Sequence, residues 1–128
     1  MSYAASLAIV LGALALLPDA AHAQDGQCPK GYSNDDCDQW YFERADKTLT
    51  ATVADRIKRR SEMTTRPESQ KAIRTTIEEA HRAWLVFRDA ECKAYVAEGV
   101  MSARTETARN ASCRLAMTEQ RIEELKKF

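Results

Sequence analysis

Three groups of residues in this 128-residue chain have types and spacings that could support chemistry. The first is His81 with Glu78 and Glu79, the one local set suited to acid–base work. No serine or cysteine stands beside it to be activated as a nucleophile, so it reads as a partly exposed helical histidine. The second is the stretch AWLVFRDAEC, residues 83–92, where Arg88, Asp89 and Glu91 could hold a ligand and Trp84 and Phe87 could flank one. At helical spacing the same residues make a packed seam. The aromatics turn inward, and the Arg88 stem covers Trp84 while its head pairs with a carboxylate of a neighbouring helix. The third group is Cys28, Cys37, Cys92 and Cys113. Zinc ligands come in pairs two to four residues apart, whereas these are spaced by 9, 55 and 21 residues. Four cysteines in an exported chain predict two disulfides, for which three pairings exist. There is no glycine-rich phosphate loop and no nucleophile–base–acid set. The sequence therefore predicts no catalytic residue, no metal and no cofactor.

Export is read from the first residues. An apolar run from Ala4 to Leu17 ends at Pro18 and Asp19, and Ala21-His22-Ala23 has the small-x-small form of a cleavage site. The run is shorter than the roughly 20 residues a membrane span needs. Residues 1–23 are thus expected to be a cleaved signal peptide, with residues 24–128 forming one domain. With no cysteine at the cleavage point, no membrane anchor is expected. The location would be periplasmic or secreted.

Without Asp19 the remainder carries 19 basic and 18 acidic residues, a balance that argues against nucleic acid as a partner. The charge is uneven along the chain. Residues 25–46 contain six acids (Asp25, Asp35, Asp36, Asp38, Glu43 and Asp46), whereas residues 47–74 contain eight bases. Acids in the first turns of a helix and bases in its last complement the helix dipole. The same acids could also form a patch for a cationic partner.

Three helices must position these residues, and no strand pattern occurs. Asn34 or Asp35 can cap a first helix over about 35–62, with Trp40/Tyr41, Ala45, Leu49, Val53 and Ile57 on one stripe. A second helix begins at Thr65, with Glu68 as its capping-box partner and Pro67 in the first turn. Its seam steps through Ile73, Ile77, Ala80, Trp84 and Phe87 towards Tyr95, and Gly99 stops it. A third helix starts near Ser102, with Ala108, Ala111/Ser112, Leu115, Ile122 and Leu125 inward. The expected fold is all-α, a small disulfide-stapled antiparallel bundle of three long helices. Pairing Cys92 with Cys113 across the second and third helices leaves a register mismatch of about five residues, or about 7 Å, for the loop to absorb. Cys28 and Cys37 would then tie the lead-in segment to the first helix.

EEAHRAWLVFRDAEC, followed by CRLAMTEQRIEELKKF, resembles the lysozyme-inhibitor LprI-like family of small exported bacterial domains. The likeness extends upstream to CDQWYFERADKTLTATV and rests on Trp84, Arg88-Asp89 and Cys92 combined with Cys113, Thr118, Arg121 and Leu125. His81 replaces the family's usual Gln, and Phe87 its common Tyr. The resemblance implies a structural motif in which Trp84, Arg88, Asp89 and Arg121 hold the bundle together and both arginines make ion pairs inside it. It also implies lysozyme or another cell-wall-active protein as partner. A cationic lysozyme would be met by Asp35, Asp36, Asp38, Glu43 and Asp46 with Trp40 and Tyr41. The alternative is an envelope interaction or chaperone-like scaffold module without inhibitory activity.

Overall fold

A computed structural model describes residues 26–99 and 103–128; the expected signal peptide lies outside the described residues. Three helices follow one another: α1 (Asn34–Ser61), α2 (Pro67–Glu98) and α3 (Glu106–Lys126). All described regular structure is helical.

Each start is set by local chemistry that differs in detail from the sequence expectation. The cap of α1 is Ser33, one residue earlier than expected. Its hydroxyl accepts from Asp36 N–H, and Asp36 accepts from Ser33 N–H, which makes a reciprocal capping box. At α2, Pro67 occupies the first helical position and forces its predecessor into an extended conformation, so Arg66 (φ −84°, ψ 119°) is the cap. That excludes the expected Thr65–Glu68 box, and Arg66 makes no side-chain capping bond. Gln70 Nε2 instead donates to the carbonyls of Ser61 and Thr64, holding the α1–α2 turn. The cap of α3 is Thr105, whose Oγ1 accepts from Ala108 N–H at 3.1 Å.

Gly99 ends α2 as expected. Its φ of −84° is ordinary, so no left-handed turn demands glycine. Arg109 lies across it and donates to its carbonyl, and a Cβ there would collide with the Arg109 guanidinium. Because α3 begins only at Glu106, the connection is longer than the short turn expected. This removes the anticipated register mismatch of the cysteines.

α2 runs antiparallel to α1 and α3, which are parallel to each other. Asp35 near the start of α1 meets Thr105 at the start of α3, and Arg60 near the end of α1 donates to the Phe128 carbonyl beyond the end of α3. The most extensive helix pairing is α1 with α3, with α2 laid against both. Leu49, Val53 and Ile57 of α1 and Ile122 and Leu125 of α3 form the apolar core, against which Ile77, Trp84 and Leu85 of α2 pack.

The α2 seam differs from expectation. The buried residues of α2 are Arg88 and Cys92, with Ile77, Trp84 and Leu85 half-buried, while Ala80, Phe87 and Tyr95 are exposed. At 100° per residue the true inward face is rotated about 60° from the expected one. The disulfide and the Arg88 ion pair choose that face, and neither contributes to a count of apolar residues.

Candidate functional site

Both disulfides form, Cys28–Cys37 (Cα–Cα 5.4 Å) and Cys92–Cys113 (5.6 Å), as the sequence geometry anticipated. The second cross-links α2 to α3 around a layer of charged and aromatic groups that unites most of the motif residues. Arg88 is only 2% exposed. Its Nη1 donates to Asp46 Oδ1 of α1 at 2.7 Å and to Thr118 Oγ1 of α3 at 3.0 Å, and its Nε donates to Asp89 Oδ1 at 3.0 Å. The guanidinium lies 5.2 Å from the Phe42 ring centroid and 5.4 Å from that of Trp84. Outside these rings lie two more arginines, Arg114 over Phe42 at 4.2 Å and Arg121 over Trp84 at 5.7 Å. Cations and rings therefore alternate across the bundle: Arg114, Phe42, Arg88, Trp84, Arg121. A buried guanidinium is tolerable only when it is paired, and here three acceptors and two ring faces surround it.

Asp89, half-exposed, also accepts from Arg114 Nε at 3.0 Å, so one carboxylate joins α2 to α3. Arg121 departs from the expectation of an ion pair across the bundle. Its partner is Glu124 on its own helix at 3.2 Å, and what it reaches across to is the Trp84 ring. Phe42, 5% exposed, and Arg114 were not singled out from the sequence. A signal for Phe42 existed, because it stands seven residues, or two turns, before Leu49. The stripe expected from the sequence puts Trp40 and Tyr41 there instead, and they lie only half-buried.

His81 sits beside this layer, half-buried, with its Nδ1 shielded from water and bonded to no acceptor. Burial lowers its affinity for a proton. Arg121 and Arg88 act in the same direction, and Asp46 opposes them. Among the described residues no hydrogen bond joins it to the neighbouring Glu78, and burial favours its neutral form.

The acidic residues at the start of α1 are distributed among internal tasks. Asp35 accepts from Thr105 Oγ1 at 2.8 Å and lies near Arg104. The Thr105 hydrogen bonds hold the Asp35 carboxyl below the usual carboxylate range, with Arg104 assisting. Asp38 pairs with Arg104, Asp36 closes the Ser33 capping box and Asp46 holds Arg88. Glu43 is exposed and accepts from Gln39 at 2.9 Å. Tyr41 Oη accepts from Cys28 N–H at 3.1 Å, which fastens the lead-in segment. Trp40 meets the Tyr41 ring edge-on and lies beneath the Arg44 guanidinium.

Among the described residues no group of three or more His, Cys, Asp or Glu is placed to hold a metal ion, and no helix is long and apolar enough to cross a membrane. The larger concavities are shallow grooves of about 600 and 650 Å³ on the two sides of the α1–α2 contact, away from the arginine layer.

Trp84, Arg88, Asp89, Thr118 and the Cys92–Cys113 bond thus meet in one junction between the helices. The profile of the lysozyme inhibitor LprI family covers residues 24–125. The chain belongs to the lysozyme inhibitor LprI family. No curated protein and no solved structure matches it significantly. In this LprI-family domain Arg88 bonds to Asp46, Asp89 and Thr118, one residue on each of the three helices.

Proposed function

We propose that this LprI-family domain is an exported protein-binding module that inhibits a muramidase by covering its cleft with a protein surface, without a covalent step. The family match over residues 24–125 carries this reading. Two disulfides, which persist in oxidising compartments, support a periplasmic or secreted location. The docking surface we propose is the outward side of the first turns of α1, within the set Asp35, Asp36, Asp38, Trp40, Tyr41, Glu43 and Asp46. Asp36, Trp40 and Glu43 are four and three residues apart and share one helix face. Asp35, Asp38 and Asp46 are engaged internally, so they would act through the local field while Glu43 and Trp40 make contact. Acids placed this way raise the rate of encounter with a cationic enzyme more than they slow its release.

The test is residual muramidase activity of a c-type lysozyme titrated with the oxidised protein lacking residues 1–23 at several salt concentrations. Stoichiometric loss of activity that weakens with salt is expected, and Glu43→Lys should slow association several-fold. Full activity at excess protein would sink the inhibitor reading. The alternative of an envelope scaffold or chaperone-like module draws on one observation, the exposed apolar residues Val86 and Phe87 on α2.

A further inference from the structure

α2 carries a second apolar seam that α1 and α3 leave largely open, with only Phe87 bordering a small cavity that Met117 and Gln120 of α3 also line. Phe87 and Val86 stand next to each other in the middle of the helix and are 53% and 72% exposed. From Phe87 the exposed positions Ala80, Ala83, Ala90, Ala94 and Ala97 extend along the same face at alternating steps of three and four. That is a heptad spacing, and it lies on the opposite side of α2 from Leu85, Arg88 and Cys92. Between residues 80 and 97 no charged residue interrupts the stripe; charges occur at its margins, with Glu79 and Lys93 on the Val86 side.

From this face we infer that the protein self-associates through α2, with two copies crossing antiparallel about a two-fold axis near Leu85–Val86. The occupant follows from complementarity. Antiparallel pairing in this register sets the bulky Phe87 of one copy against the small Ala83 of the other, and Ala90 against Ala80, so the helices keep an even separation. Val86 meets its own counterpart at the axis. Glu79 of each copy then faces Lys93 of the other, which gives two symmetric ion pairs and no like-charge pair along that margin. A parallel pairing would stack Phe87 on Phe87 between alanine layers, prising apart helices that alanine would let approach closely. It would also remove Glu79 from Lys93. With 19 basic and 18 acidic residues after residue 23, the near-zero net charge adds little long-range repulsion between copies. The proposed docking face on α1 stays free, so the dimer would present two of them. The inference stands independently of the inhibitor reading.

Sedimentation equilibrium of the oxidised protein tests it, with circular dichroism to verify that each variant keeps its helices. The expected result is a reversible monomer–dimer equilibrium that Phe87→Glu abolishes without loss of helicity. Glu79→Lys and Lys93→Glu should each weaken the dimer about tenfold, and the two together should restore it. A monomer at every concentration, or a dimer indifferent to Phe87→Glu, would overturn the proposal. A double reversal that fails to rescue would overturn the antiparallel register.

Discussion

The bundle has two interiors built on different physics. Towards the ends of α1 and α3, Leu49, Val53, Ile57, Ile122 and Leu125 form an apolar cluster whose stabilisation scales with the surface it removes from water. One helical turn away, Phe42, Arg88, Arg114, Thr118 and Asp46 form a layer held by directional bonds and cation–ring contacts. The apolar cluster would tolerate many arrangements of similar volume. The arginine layer tolerates few, because Asp46, Thr118 and Asp89 come from three different helices and must all meet one planar group. Labour is thus divided between them: the cluster contributes burial and the layer fixes register.

Breaking each interior in turn tests this. Arg88→Ala should cost about 4 kcal/mol, because it leaves Thr118 buried without its donor, Asp46 without its cation and a space between two rings. Leu49→Ala, at a side chain 1% exposed, should cost about 3 kcal/mol through lost transfer energy and a residual cavity. Urea denaturation of both variants measures the pair; an Arg88→Ala cost well below that of Leu49→Ala would remove the layer's share of stability. Arg88→Met sharpens the contrast. It refills the volume without the directional bonds, and should lose only about 1 kcal/mol while broadening the amide NMR signals of residues near Cys92 and Thr118. Sharp, unshifted signals there would show that register needs no arginine.

The smallest effect concerns pH. His81 faces Arg88 on its own helix, Arg121 on α3 and Asp46 on α1, and burial favours its neutral form, so its folded-state pKa lies below the ordinary value of 6.5. The unfolded chain therefore binds the proton first. The stability associated with neutral His81 is fully present above about pH 6.5 and is lost as pH falls from there towards the folded-state value. His81→Gln should flatten that part of the stability profile, leaving the carboxylate-dependent loss at lower pH. An unchanged slope between pH 5 and 7 would show that His81 titrates alike in both states.

How much of this was legible in the sequence depended on the range of the interaction concerned. Cysteine number and spacing carried the disulfide pairing, because a link between consecutive helices tolerates small errors in where a loop begins. The caps were misplaced by one to three residues. Ser33, Arg66 and Thr105 are chosen by side-chain reach and by the constraint that Pro67 imposes, and several neighbouring residue types can serve. The candidate docking acids could be seen as a cluster, yet nothing local revealed that Asp35 would bond to Thr105 or that Asp38 would pair with Arg104. Those partners lie 70 and 66 residues away along the chain.

Heptad spacing, glycine and proline punctuation and four cysteines determined on their own that this chain forms three helices with two staples, because those signals act within a few turns of chain. Only the tertiary structure decided which face of α2 turns inward. Both faces carry apolar residues at helical spacing, and the choice between them rests on where Arg88 finds Asp46 and Thr118 and where Cys92 meets Cys113. The face left outside, with Phe87 at its centre, is the consequence of that choice.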